Sequence, residues 1–135
     1  MKVAFGTDEQ TPVTKRLVDQ LIHDGHQVEV LADGDHWIDV GEVVGRAVAS
    51  GQADRGIVCC WTGTGVSIAA NKVDGARAAL CTDAETARGA RRWNDANVLA
   101  LSLRLLTDAL AGEIVPAFLA TEADGNERQQ ITRLR

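Results

Sequence analysis

Five short apolar runs, each followed by a stretch with helical spacing, constrain this chain most. They are Lys2–Phe5, Gln27–Leu31, Gly56–Cys60, Ala76–Cys81 and Val98–Leu101. Short, largely apolar runs suit strands covered on both faces. The segments between them carry helix punctuation. Thr11 reads as an N-cap with Pro12 at the first helical position, Val13, Leu17 and Leu21 share a face, and Gly25 ends the run. Asp39 and Glu42 form a near capping box ahead of Val43, Val44, Ala47 and Val48, and Gly51 closes that helix. Further helices are expected over 64–71, 84–92 and 107–119, with Pro116 kinking or shortening the last. Strand, helix, strand repeated in this way predicts an α/β fold: a Rossmann-like three-layer αβα sandwich on a five-stranded parallel sheet. The 135 residues suit one domain spanning 1–135, with a polar tail from about residue 122 that has room for one more short helix.

Composition excludes several classes. No apolar run approaches the roughly 20 residues of a membrane span. A net charge of -5 argues against non-specific nucleic-acid binding, and the basic residues are scattered until Arg128, Arg133 and Arg135. The N-terminus is interrupted too early for a signal peptide. Three cysteines, Cys59, Cys60 and Cys81, give an odd count without metal-ligand spacing, so a reduced, cytoplasmic protein is expected. Cys59 and Cys60 are neighbours on a strand and must face opposite sides.

In open α/β sheets the ligand lies beyond the carboxyl ends of the strands. Asp8, Cys60 and Gly63-Thr64-Gly65 all fall at that edge. Cys60 is either a buried strand cysteine or a thiol polarised by the amides of the next helix start. The glycine loop is either a tight turn or an anion cradle; it is not a Walker A loop and lacks the dinucleotide spacing. Asp8 is either a turn residue or a partner for a sugar hydroxyl, and Glu9 beside it a second carboxylate or a solvated loop charge. Asn94-Asp95-Ala96-Asn97 reads simply as a turn. His23, His26 and His36 are expected at the surface, with only His36 anywhere near the site, so no Cys-His pair is expected.

The motifs Cys60-x-Thr62-Gly63-x-Gly65-x-Ser67-Ile68-Ala69-Ala70-Asn71-Lys72, Gly75-x-Arg77-Ala78-Ala79-x-Cys81, Asn94-Asp95-x-Asn97-Val98-Leu99-Ala100 and Phe5-Gly6-x-Asp8 resemble the ribose-5-phosphate isomerase B family, which includes the galactose-6-phosphate isomerase subunits. The resemblance implies aldose–ketose isomerisation through a cis-enediolate, without metal or cofactor, in a homodimer or homotetramer whose sites are shared between subunits. It makes Cys60 the base and gives Thr62, Gly63 and Gly65 the enediolate oxygens, with Ser67 in the same binding block. It places Asp8 near the sugar and has Asn94 supplied by a neighbouring subunit. Trp37 stands where the family has a substrate-contacting tyrosine, and Trp61 replaces a glycine.

The departures are specific. Glu9 and Trp93 stand where the family has histidines, the second of them the ring-opening one. Glu127 and Ile131 stand where it has phosphate-binding arginines. Arg104 matches a family arginine, and Arg128 and Arg133 lie near the lost pair. A carboxylate repels a phosphate dianion, and two missing arginines remove charge-assisted bonds. Trp61 and Trp93 read either as a wall for the sugar or as subunit packing. The expected ligand is therefore a non-standard or unphosphorylated sugar. A conventional pentose- or hexose-phosphate substrate, and a non-catalytic sugar-binding subunit that needs a partner, are the alternatives.

Overall fold

Thr11 starts the first helix as its spacing predicts. Its hydroxyl accepts from the Thr14 amide at 3.1 Å, and the Thr14 hydroxyl accepts from the Thr11 amide at 3.0 Å, closing a reciprocal cap. The protein is seen here in a computed structural model that describes residues 1–134; Arg135 of the basic tail lies outside the described residues. The elements run β1 (Lys2–Thr7), α1 (Pro12–His23), β2 (Gln27–Asp33), α2 (Trp37–Ala49), β3 (Arg55–Cys60), α3 (Thr64–Asn71), β4 (Ala78–Leu80), α4 (Ala84–Asn94), β5 (Val98–Ser102) and α5 (Asp108–Ala120). A 3-10 turn (Gly125–Glu127) and a short α6 (Arg128–Ile131) complete the chain. All pairings are parallel, in the order β2-β1-β3-β5-β4.

Two apolar layers sandwich the sheet. Val3, Phe5, Ile57, Cys59, Leu99 and Leu101 face α1, α4 and α5. Ala4, Val58, Cys60, Val98 and Ala100 face α2 and α3. Cys59 and Cys60 thus sit in different layers, as strand alternation requires.

Four expectations are corrected. β2 is an edge strand, mostly exposed, because nothing pairs beyond it. β4, the other edge, is only three residues long. Helix α2 begins at Trp37 with His36 as its N-cap, so Asp39 lies inside the first turn. Trp37 is drawn into the helix because its indole packs across Gly65. Pro116 neither ends nor shortens α5, which runs on to Ala120; Ile114, Val115, Phe118 and Leu119 are buried around it. That burial outweighs the one backbone bond proline removes. No helix among the described residues is long and apolar enough to cross a membrane.

Candidate active site

The sheet changes winding direction between β1 and β3, since β2 lies outside β1 while β5 and β4 lie beyond β3. A crevice opens at such a point, beyond the strand ends. Asp8 follows β1 and Cys60 closes β3, so both border it. The Asp8 amide donates to the Cys59 carbonyl at 3.1 Å, tying the two strand ends together. Cys60 is 5% exposed.

The loop after Cys60 is held from β5. Leu103 and Arg104 amides donate to the Cys60 and Trp61 carbonyls at 2.9 and 3.0 Å, and the Ser102 hydroxyl donates to the Trp61 carbonyl at 3.1 Å. Gly63 then turns the chain with φ 77°, in the left-handed region, and serves as N-cap of α3. A side chain there would meet Leu80 and the Leu101 backbone, so only glycine fits on both counts. The amides of the first turn of α3 have no partner within the helix. Thr62 and Thr64 hydroxyls lie 2.7 Å apart on the exposed lip. Ser67 is half-buried one turn on, its amide bonded to the Gly63 carbonyl at 3.3 Å. A Cβ on Gly65 would lie 2.9 Å from the Trp37 ring, which places the indole over the loop. Thr64 is the neighbour that the sequence reading passed over; the Thr-Gly-Thr pattern is its only signal.

On the β1 side, the Thr7 hydroxyl donates to the Glu9 carbonyl at 2.8 Å and accepts from the Glu9 amide at 3.3 Å. This turn sets Asp8 and Glu9 side by side. Oδ1 of Asp8 is buried and has no hydrogen-bond partner among the described residues. Burial, then the Glu9 charge, push the Asp8 carboxyl above its ordinary value; its backbone hydrogen bond and His36 pull the other way. His36 follows the loop that the Gly34 amide ties to the Thr7 carbonyl at 2.9 Å, beside the end of β1. Trp61 and Arg104 are exposed at the same edge.

Three residues of the sequence-based set lie elsewhere. α4 runs back from the crevice, so Trp93 and Asn94 fall at its far end, at the opposite edge of the sheet. The Asp124 amide donates to the Arg92 carbonyl at 2.7 Å, which keeps the segment leading to Arg128 at that far edge too. Within one chain the structure brings together Asp8, Glu9, Trp37, Cys60, Thr62, Gly63, Gly65, Ser67 and Arg104, and does not bring Trp93, Asn94 or Arg128 to them.

Residues 3–134 match the sequence profile of the Ribose/Galactose Isomerase family. The chain belongs to that family. It is 39% identical over 136 residues to ribose-5-phosphate isomerase B of Escherichia coli, across 96% of this chain and 90% of that protein. It is 45% identical over 87 residues to the D-erythrulose-4-phosphate isomerase of Pectobacterium atrosepticum, across 64% and 57%. The structure of Clostridium thermocellum ribose-5-phosphate isomerase B superposes with a TM-score of 0.90 at 39% identity, covering 98% of this chain and 94% of that one. Membership of the ribose/galactose isomerase family makes this chain an aldose–ketose isomerase.

Proposed function

We propose that this isomerase works through a cis-enediolate with Cys60 as the base, on a sugar other than the standard 5-phosphopentose. The observation that carries the reading is the position of Cys60. It closes β3 at the crevice, directly before a loop whose carbonyls are tied to β5 and whose next amides are the unpaired first turn of α3. Donors fixed in advance where negative charge develops lower the barrier to forming it. In this reading Thr62, Gly63 and Gly65 hold the enediolate oxygens. Asp8 offers its unpartnered Oδ1 to a sugar hydroxyl, Ser67 lines the floor, and Trp37 forms a wall.

The distal end of the sugar meets Glu9, a carboxylate where a phosphate clamp would need a cation. Arg104 is the cation on this edge. The remaining contacts, Trp93, Asn94 and Arg128, come from the opposite edge of a second copy in a homodimer or homotetramer. Conventional sugar-phosphate isomerisation is the second reading, favoured by Arg104 and by the phosphorylated substrates in the relatives' names.

Incubation in heavy water with free and phosphorylated aldoses and ketoses, followed by NMR, tests this. Deuterium at C1 or C2 with wild type, absent with Cys60→Ala, is the expected result. Exchange confined to 5-phosphopentoses favours the second reading. Exchange that survives Cys60→Ala removes Cys60 from the role, and no exchange on any sugar leaves a binding subunit.

A further inference from the structure

Enediolate isomerisation moves protons of two kinds. One travels between carbons; the other must leave one oxygen and reach its neighbour. Cys60, on the β3 side of the crevice, serves the carbon proton. The β1 side holds a second acid–base group that the sequence left at the surface. His36 caps α2, with Nδ1 accepting from the Ile38 amide at 3.2 Å. That bond leaves the neutral ring with its proton on Nε2, and no described residue hydrogen-bonds Nε2. An amide donating into Nδ1 also withdraws charge from the ring and makes Nε2–H a better donor. The ring is held in place: its centroid lies 5.3 Å from that of Trp37, and Trp37 lies across Gly65. The Gly34 to Thr7 bond draws the same loop against the end of β1, one residue before Asp8. Asp8, the next residue, keeps a buried oxygen without a partner among the described residues.

We propose that His36 is a catalytic residue of this isomerase, carrying the oxygen proton while Cys60 carries the carbon proton. The proposal rests on the isomerase reading above. From aldose to ketose, the Cys60 thiolate takes the proton on C2. The C2–H pair becomes the C1–C2 double bond, and the carbonyl π pair moves to O1, which takes the Nε2 proton. Nε2 then takes the proton from O2, the O2–H pair becomes the C2 carbonyl, and the C1–C2 π pair takes the proton from Cys60 at C1. Both side chains end as they began. A neutral histidine at a helix start acting as electrophile to an enediolate has chemical precedent.

His36→Asn tests this, because asparagine keeps an N-cap acceptor. The probes are D-ribose and D-erythrulose, each free and as its 5- or 4-phosphate. Erythrulose has no hydroxyl that can close a five- or six-membered ring, so it needs no ring opening. The expected result is a folded variant with KM within about threefold and kcat reduced roughly a hundredfold or more on every probe that wild type turns over. A kcat within about threefold of wild type, with Cys60→Ala inactive, overturns the proposal and leaves the isomerase reading standing. Loss confined to the ribose probes would make His36 a ring opener and also overturn it. Wild-type inactivity on these probes and on the whole heavy-water panel overturns the isomerase reading itself, and this proposal with it.

Discussion

Asp8 keeps a buried carboxylate oxygen that nothing among the described residues satisfies, in keeping with its proposed role toward a sugar hydroxyl. Its folded-state pKa is raised above the ordinary value of 3.8, so ionisation is easier in the unfolded chain. Below that value the carboxyl is neutral in both states and costs nothing. As pH rises through it, stability is lost until the raised folded value is passed, and the loss is constant above. Asp8→Asn should therefore melt higher than wild type at neutral pH, with the difference vanishing in strong acid, while turnover falls. Thermal melts from acid to neutral pH check this. The cysteines show what was legible at this scale. Strand alternation alone separated Cys59 from Cys60; burial pushes Cys81 up to about 11 and Cys59 further, which fits two inert thiols. His36 was not legible. Asp39-x-x-Glu42 is the better cap signal on paper, yet the helix starts at Trp37, where the His36 ring accepts from the Ile38 amide and Trp37 packs on Gly65.

At the scale of elements, the end of α4 is held by a buried guanidinium. Arg91 is 1% exposed, with Nη1 on Asp95 at 2.8 Å and on the Ala96 carbonyl at 2.6 Å, and Nε on the Thr121 carbonyl at 3.0 Å. Asp95 also binds Arg77 at 3.3 Å and takes φ 46° to turn the chain into β5. One residue thus neutralises a buried guanidinium with its carboxylate and, in the left-handed region, caps α4 with its backbone amide. Asp95→Ala should cost about 2–3 kcal/mol, since it leaves Arg91 uncompensated and puts at positive φ a residue that tolerates it less well than aspartate does. Asp95→Asn should cost less, because asparagine tolerates that φ and can still accept from arginine. Denaturant unfolding of the two variants separates these contributions. From sequence, Asn94-Asp95-Ala96-Asn97 read only as a turn, because Arg77, Arg91 and Thr121 are distant in the chain. The strands and helices themselves were legible from period and caps. The edge positions of β2 and β4 were not, since strand order is a tertiary property.

At the scale of the whole molecule, the candidate site residues divide between two opposite edges of one sheet. Asp8, Cys60 and the glycine loop share the crevice; Trp93, Asn94 and Arg128 share the far edge. The parallel sheet follows from βα repetition, whereas its order, and with it the position of the crevice, is seen only in the fold. The division follows from the direction of α4, which returns from the crevice by the whole length of the sheet. In the proposed function a complete site pairs the crevice of one copy with the far edge of another, as in a closed two-fold dimer. Co-expression of Cys60→Ala with Asn94→Ala tests this most directly. In a mixed dimer one site carries both defects and the other carries neither. Two inactive parents should therefore yield a mixture with about a quarter of wild-type turnover, because half of the dimers are mixed and each has one intact site. A mixture no more active than its parents would contradict the account, placing Cys60 and Asn94 in the same chain's site or leaving one of them outside it.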